Sequence, residues 1–443
     1  MDDRSVAAPS PESCRDSAVD PSPELDRCVD FLRSVSILVV CVGHWLVIAP
    51  EYTDGELVVP EILLLIPWTQ WLTLGMQVMP LFFLAGGFTA AHSWTRRKRE
   101  SAEWAHSRAL RLLLPTAVYV GIAVPILALA GALGLNADIR GDVGWLLASH
   151  FWFLPVYLVV STLTPWLFAA HTRWGLSLPI VLGGAGAAID YAAVRLDVYA
   201  LGLIGGLMVW GAIFALGFSW YQRRLSVRHL AGMAILGAIA YTALVWFDVF
   251  PLCMLMVSTQ EISNTNPPSA AFLCFAVAQI GVVLLIAPAL RGLLSRPAVW
   301  ARVRAVSASS MTVYLWNFVP VVAVGTLLFS TGIAPDFTVG SGSWWWQRFV
   351  WLAVLAVVMM VVLAAVRPVQ NFFVGAVYRG DGSDTRVRPG LVMLGWTTAF
   401  LPLCFWTFSG LGYAGVLTVP ALLMFASGMV ILGRLSIQRD IAG

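Results

Sequence analysis

Apolar runs of about 20 residues, the length a helix needs to cross a bilayer, recur along this chain from Ser34 almost to its C-terminus. Twelve read as membrane spans. The first six are 34–50, 70–93, 112–134, 146–169, 174–194 and 199–220, and the rest are 229–249, 270–290, 309–330, 347–366, 390–409 and 412–433. The 443 residues are 59% hydrophobic and only 12% charged, whereas a soluble domain carries about a quarter charged residues. The expected fold class is therefore all-α, a polytopic membrane helix bundle of about twelve transmembrane helices. It carries no large soluble domain and no evident internal repeat. The segment 57–67 is too short to span and contains Glu61, so it reads as a surface or re-entrant piece.

Charge orients the bundle. With the N-terminus inside, 24 of the 27 Lys and Arg residues fall on the inner face, leaving Arg140, Arg195 and Arg348 outside. That bias predicts a multi-pass protein of the cell membrane with both termini cytoplasmic. The net charge of +3 implies no nucleic-acid partner. Six cysteines without CxxC spacing imply neither a disulfide framework nor a metal site. Residues 1–25, rich in Pro, Ser and acidic side chains, read as a disordered cytoplasmic tail and not as a signal peptide.

The first span holds the most informative residues, in "DRCVDFLRSVSILVVCVGHWLV". Arg33 and His44 are eleven positions apart, three helical turns plus roughly 20°, so Asp30, Arg33, Ile37, Cys41 and His44 share one stripe. The rise between Arg33 and His44 is about 16 Å, which carries His44 towards mid-bilayer if Arg33 marks the inner boundary. An ionisable side chain there faces a protein or water cavity and reads as functional. The plainer alternative is a histidine that bonds a neighbouring helix. Desolvation favours a neutral imidazole, suited to act as a general base on a hydroxyl or as an acyl-carrying nucleophile. Asp30 and Arg33 are catalytic candidates beside it, or simply an ion pair at the start of the span.

"RCVDFLRSVSILVVCVGH" resembles the opening signature of the acyltransferase type 3 family of integral membrane O-acyltransferases, with its Arg, ten residues, His spacing at Arg33 and His44. "MPLFFLAGGFTAAHSWTRR" is similar to the second helix of that family, "RALRLLLP" to its RxxR motif, and "HFWFLPVYL" and "MTVYLWNFVPV" to two later landmarks. The resemblance covers roughly residues 25–366, about ten spans. Two departures stand out: the Ser-Gly pair of the family is Gly86 and Gly87 here, and many members carry His where this chain has Asn317. The domain reading is then a tail at 1–25, an acyltransferase membrane domain at 26–370, a cytoplasmic loop at 371–389 and two additional spans within 390–443.

The resemblance implies an O-acyltransferase moving an acyl group, acetyl being the simplest, from cytoplasmic acyl-CoA to a hydroxyl of a carbohydrate or glycolipid. Arg108 and Arg111, the RxxR pair, are implied donor-binding residues, because guanidinium forks hold phosphates well. Arg96 and Arg97 are weaker candidates, since basic clusters also serve as topology signals and contacts with anionic membrane lipids. For the acceptor, Tyr314 and Asn317 inside the ninth span, His150 and Trp152 in the fourth, and Asn266 in the outer "NTNPPSA" loop are candidate lining residues; packing accounts for the same residue types. No metal is expected. The rival reading is a twelve-span solute or lipid transporter, which the missing repeat and the lack of a Gly-Asp lead into "HSWTRRKRE" disfavour.

Overall fold

The computed structural model describes residues 23–48, 51–53, 56–58, 61–96, 100–255, 263–331, 339–378, 388–412 and 418–437. Apart from one short hairpin it is helical. Helix α1 (Pro23–Val47) leads to the hairpin β1 (Glu51–Thr53) and β2 (Glu56–Val58), paired Glu51 to Val58. The expected surface or re-entrant piece 57–67 takes in the end of β2 and α2 (Ile62–Leu65); a 3-10 turn (Pro67–Trp71) and α3 (Leu72–Met76) follow, at the start of the second span. Then come α4 (Met79–Arg96), α5 (Ser101–Ala132), α6 (Ala137–Ala148), α7 (Phe153–Thr162) and α8 (Thr164–Trp174). They are followed by α9 (Ser177–Leu196), α10 (Tyr199–Tyr221), α11 (Val227–Trp246), α12 (Ala270–Leu294), α13 (Pro297–Trp316) and α14 (Val319–Thr331). Helices α15 (Gly342–Tyr378), α16 (Pro389–Ser409) and α17 (Thr418–Ile437) complete the chain.

Among the described residues eleven helical stretches are long and apolar enough to cross a membrane, and twelve if the bent pair α13 and α14 counts as one span. The protein is thus a multi-pass helical membrane protein. Its spans differ from the sequence reading where the backbone breaks. The fourth begins earlier, at Ala137, and is interrupted over residues 149–152, while the ninth bends by 48° at residues 317–318. Helix α15 runs on to Tyr378, so the expected loop 371–389 is helical in its first part. Helix α1 starts at Pro23, inside the stretch read as tail; residues 1–22 lie outside the described ones.

Helix α1 sits centrally, packed against α4, α12, α13 and α15. Its apolar stripe of Ile37, Cys41 and Trp45 is buried, whereas Leu38 and Val42, next to it round the helix, are exposed. The approach of α4 to α10 explains Gly87, whereas Gly86 faces the Tyr157 side chain of α7. A Cβ on Gly87 would overlap the Phe214 carbonyl, and one on Gly217 would overlap that of Leu84. Small residues let such backbones touch, which drives helix association in lipid. Helices α16 and α17 pair with each other and dock on α5, α6, α7 and α15.

Candidate functional site

His44 lies in the last turn of α1, not in the middle of its helix as the span 34–50 implied. It is nonetheless inside the bundle, because its neighbours overrun it. Trp351 of α15 donates from Nε1 to the Trp45 carbonyl at 3.0 Å, and α15 extends nine residues outward from Trp351, about 13 Å. The His44 ring stacks on Phe318, centroids 4.9 Å apart. Its Nδ1 lies 2.6 Å from Nδ2 of Asn317. Nε2 has no hydrogen bond to a described residue and is not sealed in the interior; the side chain as a whole is half-buried.

Two broken helices meet His44. Asn317 and Phe318 form the break between α13 and α14, and His150 stands in the break between α6 and α7. Both breaks precede a proline in the first turn of the next helix, Pro320 in α14 and Pro155 in α7. Proline has no N–H and its ring collides with the carbonyl four residues back, so the helix cannot run through unchanged. Broken backbone is tolerated at membrane depth where protein groups satisfy it. Here Trp45 donates from Nε1 to the Asn317 carbonyl at 2.8 Å, Tyr119 from its hydroxyl to the Leu147 carbonyl at 2.8 Å, and Tyr314 from its hydroxyl to the His150 carbonyl. Tyr314, Asn317 and His150 are buried and converge with His44 around Phe318. This grouping joins four of the candidate residues.

A second polar group lies further back along α1, where Arg33 Nη1 is 3.7 Å from Asp30 Oδ1 and both side chains are about a third exposed. Ser307 of α13 donates to the same Asp30 oxygen at 2.9 Å, and Ser34 donates to the Val303 carbonyl at 3.0 Å. Arg367 of α15 reaches Ser309 at 2.5 Å. Ser307, Ser309 and Arg367 were not singled out from sequence; a run of small hydroxyl residues in "AVSASSMT" was the available signal. Asp30, Arg33 and Ser307 tie α1 to α13 at one end and His44 with Asn317 tie them at the other, so the two helices run parallel.

The remaining candidates are dispersed. The Arg108 guanidinium lies over Trp104, 3.9 Å from the ring, and Arg111 one turn on is exposed, as is Arg96. Arg97 lies outside the described residues. Trp152 packs against Trp210 at 5.7 Å. Asn266 accepts from the Tyr199 hydroxyl at 3.0 Å, and the prolines after it press on Gly202 and Gly206 of α10. Asn264 bonds the Pro251 and Cys253 carbonyls at 2.6 and 3.0 Å, which makes its part of this loop a brace. Among the described residues no three His, Cys, Asp or Glu side chains are grouped to hold a metal ion.

No curated protein and no solved structure matches the chain significantly. The model of one family, described as an acyltransferase domain (Acyl_transf_3), matches residues 26–366. That match takes in α1 with His44, both broken helices and the serines facing Asp30, and ends within α15, ahead of α16 and α17. The chain therefore belongs to the acyltransferase type 3 family and is an integral membrane enzyme that transfers acyl groups.

Proposed function

We propose that the enzyme moves an acyl group from cytoplasmic acyl-CoA to a hydroxyl of a carbohydrate or glycolipid acceptor, with His44 as general base. The observation that carries this reading is the His44 imidazole itself, held through Nδ1 by Asn317, stacked on Phe318 and left with Nε2 unpartnered. A base must lie within hydrogen-bond reach of the proton it removes, and Nε2 is the ring atom with room to receive it.

Proton acceptance makes a demand on Asn317. In the arrangement described, its Nδ2 donates to Nδ1, which places the imidazole proton on Nε2. For Nε2 to take a proton, Nδ1 must carry its own, and an Nδ1–H needs an acceptor. The Asn317 Oδ1 is buried without a partner, so rotating the amide by half a turn sacrifices no bond to that oxygen and presents it to Nδ1–H. The amide thus sets the tautomer and then accompanies the imidazolium.

For the donor, Arg108, whose guanidinium lies over Trp104, and the exposed Arg111 are the guanidinium candidates for the phosphates of CoA. Arg96 adds charge at the C-terminal end of α4, and Arg97 follows it in sequence. The pantetheine arm then extends along the α1 stripe past Arg33 towards His44, a rise of about 16 Å, while the acceptor approaches from the opposite end past Trp152. Asp30 and Arg33 hold α1 against α13 along this path.

The test uses full-length protein in lipid nanodiscs, with thiol release from acetyl-CoA and from longer acyl-CoA donors followed in the presence of a glycolipid extract. His44→Ala is expected to lower kcat by 10²–10⁴-fold, the range typical of general-base removal, with the protein still folded by thermal melting. Turnover that survives this substitution refutes the assignment.

A further inference from the structure

His150 occupies the break between α6 and α7 and is 2% exposed. Neither of its ring nitrogens has a hydrogen-bond partner, and both are sealed from the surface. The Leu315 backbone faces the ring without reaching hydrogen-bond geometry. Otherwise the ring is enclosed by Tyr119, Phe151, Tyr314 and Phe318. The two tyrosine hydroxyls are already spent on the Leu147 and His150 carbonyls. A neutral imidazole brings one N–H and one lone pair, and native interiors rarely leave such groups unsatisfied. As a packing residue His150 is therefore poorly chosen, since a phenyl ring would fill the same space with no polar atom to satisfy.

Its position gives it a use. His44 and His150 lie 4.9 and 5.4 Å from the same Phe318 ring, so the two imidazoles are within about 10 Å of each other. A hydroxyl held by a base, poised about 3 Å from a carbonyl carbon whose oxygen takes a hydrogen bond from a donor, spans about 10 Å from base to donor when extended. That span equals the upper bound of their separation, at which Phe318 stands between the rings, so an acceptor hydroxyl and an acyl carbonyl reach the sealed His150 nitrogens only with the Phe318 ring swung aside.

We infer that His150 donates its ring N–H to the carbonyl oxygen of the acyl group in transfer and stabilises the negative charge that develops there. This rests on the His44 reading above. The acceptor proton passes to Nε2 of His44, the acceptor oxygen bonds to the carbonyl carbon, and the carbonyl electron pair moves onto the oxygen facing His150. When that pair returns, the carbon–sulfur bond breaks and the leaving thiolate takes the proton from His44. In the dry enclosure around Phe318 a donor fixed in advance is worth more than in water.

The test compares His150→Phe, His150→Gln and His44→Ala in the nanodisc assay, using the shortest of acetyl-, butyryl- and octanoyl-CoA that the unaltered enzyme turns over. His150→Phe is expected to lower kcat by about 10²–10³-fold, the effect of removing one such donor, with KM for the donor changed by less than about threefold and the melting temperature unchanged or raised. His150→Gln, which keeps an N–H, is expected to recover at least about tenfold of that loss. Two outcomes overturn the inference: unaltered kcat in His150→Phe, or equal loss in both variants accompanied by a lower melting temperature, which marks a packing role. An inactive His44→Ala beside an active His150→Phe sinks this inference and leaves the base in place, whereas an active His44→Ala sinks the base reading itself.

Discussion

At the scale of single residues, His44 was visible in the sequence because a mid-span imidazole is rare and because its spacing from Arg33 sets both on one helical stripe. Its pairing with Asn317 was not. Asn317 is an ordinary amide in an apolar helix until the fold brings it 2.6 Å from Nδ1, and it stands where many family members carry His. If the amide fixes the ring and its tautomer, Asn317→Leu should lower kcat about 10²-fold, as small misplacements of a catalytic group do. Asn317→His, which retains a group able to bond Nδ1, should keep most of the activity. Steady-state kinetics on both variants decides this; equal loss in the two would mean that the site needs the shape of asparagine more than its hydrogen bond. By contrast, Asn266 has a partner in the fold, since its oxygen accepts from the Tyr199 hydroxyl and the adjoining prolines pack on α10.

At the scale of elements, hydropathy located the spans because each must bury or expose a long apolar surface to lipid, and that demand is written along the chain. It did not locate the breaks. Pro155 and Pro320 were the local signal, yet Pro115, Pro125, Pro288, Pro368 and Pro402 stand inside continuous helices. What distinguishes the broken pair is tertiary: Tyr119, Tyr314 and Trp45, each from another segment, donate to the carbonyls near the gaps. Sequence alone carries no trace of those pairings. Removing one should therefore weaken the fold more than a lost methyl-sized contact would. Tyr314→Phe leaves the His150 carbonyl without its hydroxyl donor in a water-poor interior, with an expected loss of about 1–3 kcal/mol. Thermal unfolding in detergent reads this as a melting point lowered by several degrees, and an unchanged melt would mean that water or another donor reaches the gap.

At the scale of the whole molecule, the proposed transfer needs two opposite ends, one for a charged cytoplasmic donor and one for the acceptor. Helix α16 serves as a ruler between them. It starts beside the exposed Arg388 and runs 21 residues, about 31 Å. At its far end Gly410 to Gly412 meet α6, with Leu411 N–H donating to the Gly144 carbonyl at 2.9 Å and a Cβ on Gly412 excluded by the Arg140 carbonyl. Arg388 and the start of α6 thus lie at opposite ends of the bundle. The charge-based orientation expects opposite sides too, with Arg140 among the three basic residues it leaves outside. In a background with all six cysteines replaced, Ala137→Cys, on an exposed residue at the head of α6, should react with a membrane-impermeant maleimide on intact cells. Arg388→Cys should react only after the membrane is opened. Labelling of both from outside would contradict the course of α16, and the reverse pattern would put Arg108 and Arg111 on the side away from acyl-CoA, leaving the donor path along α1 without a source.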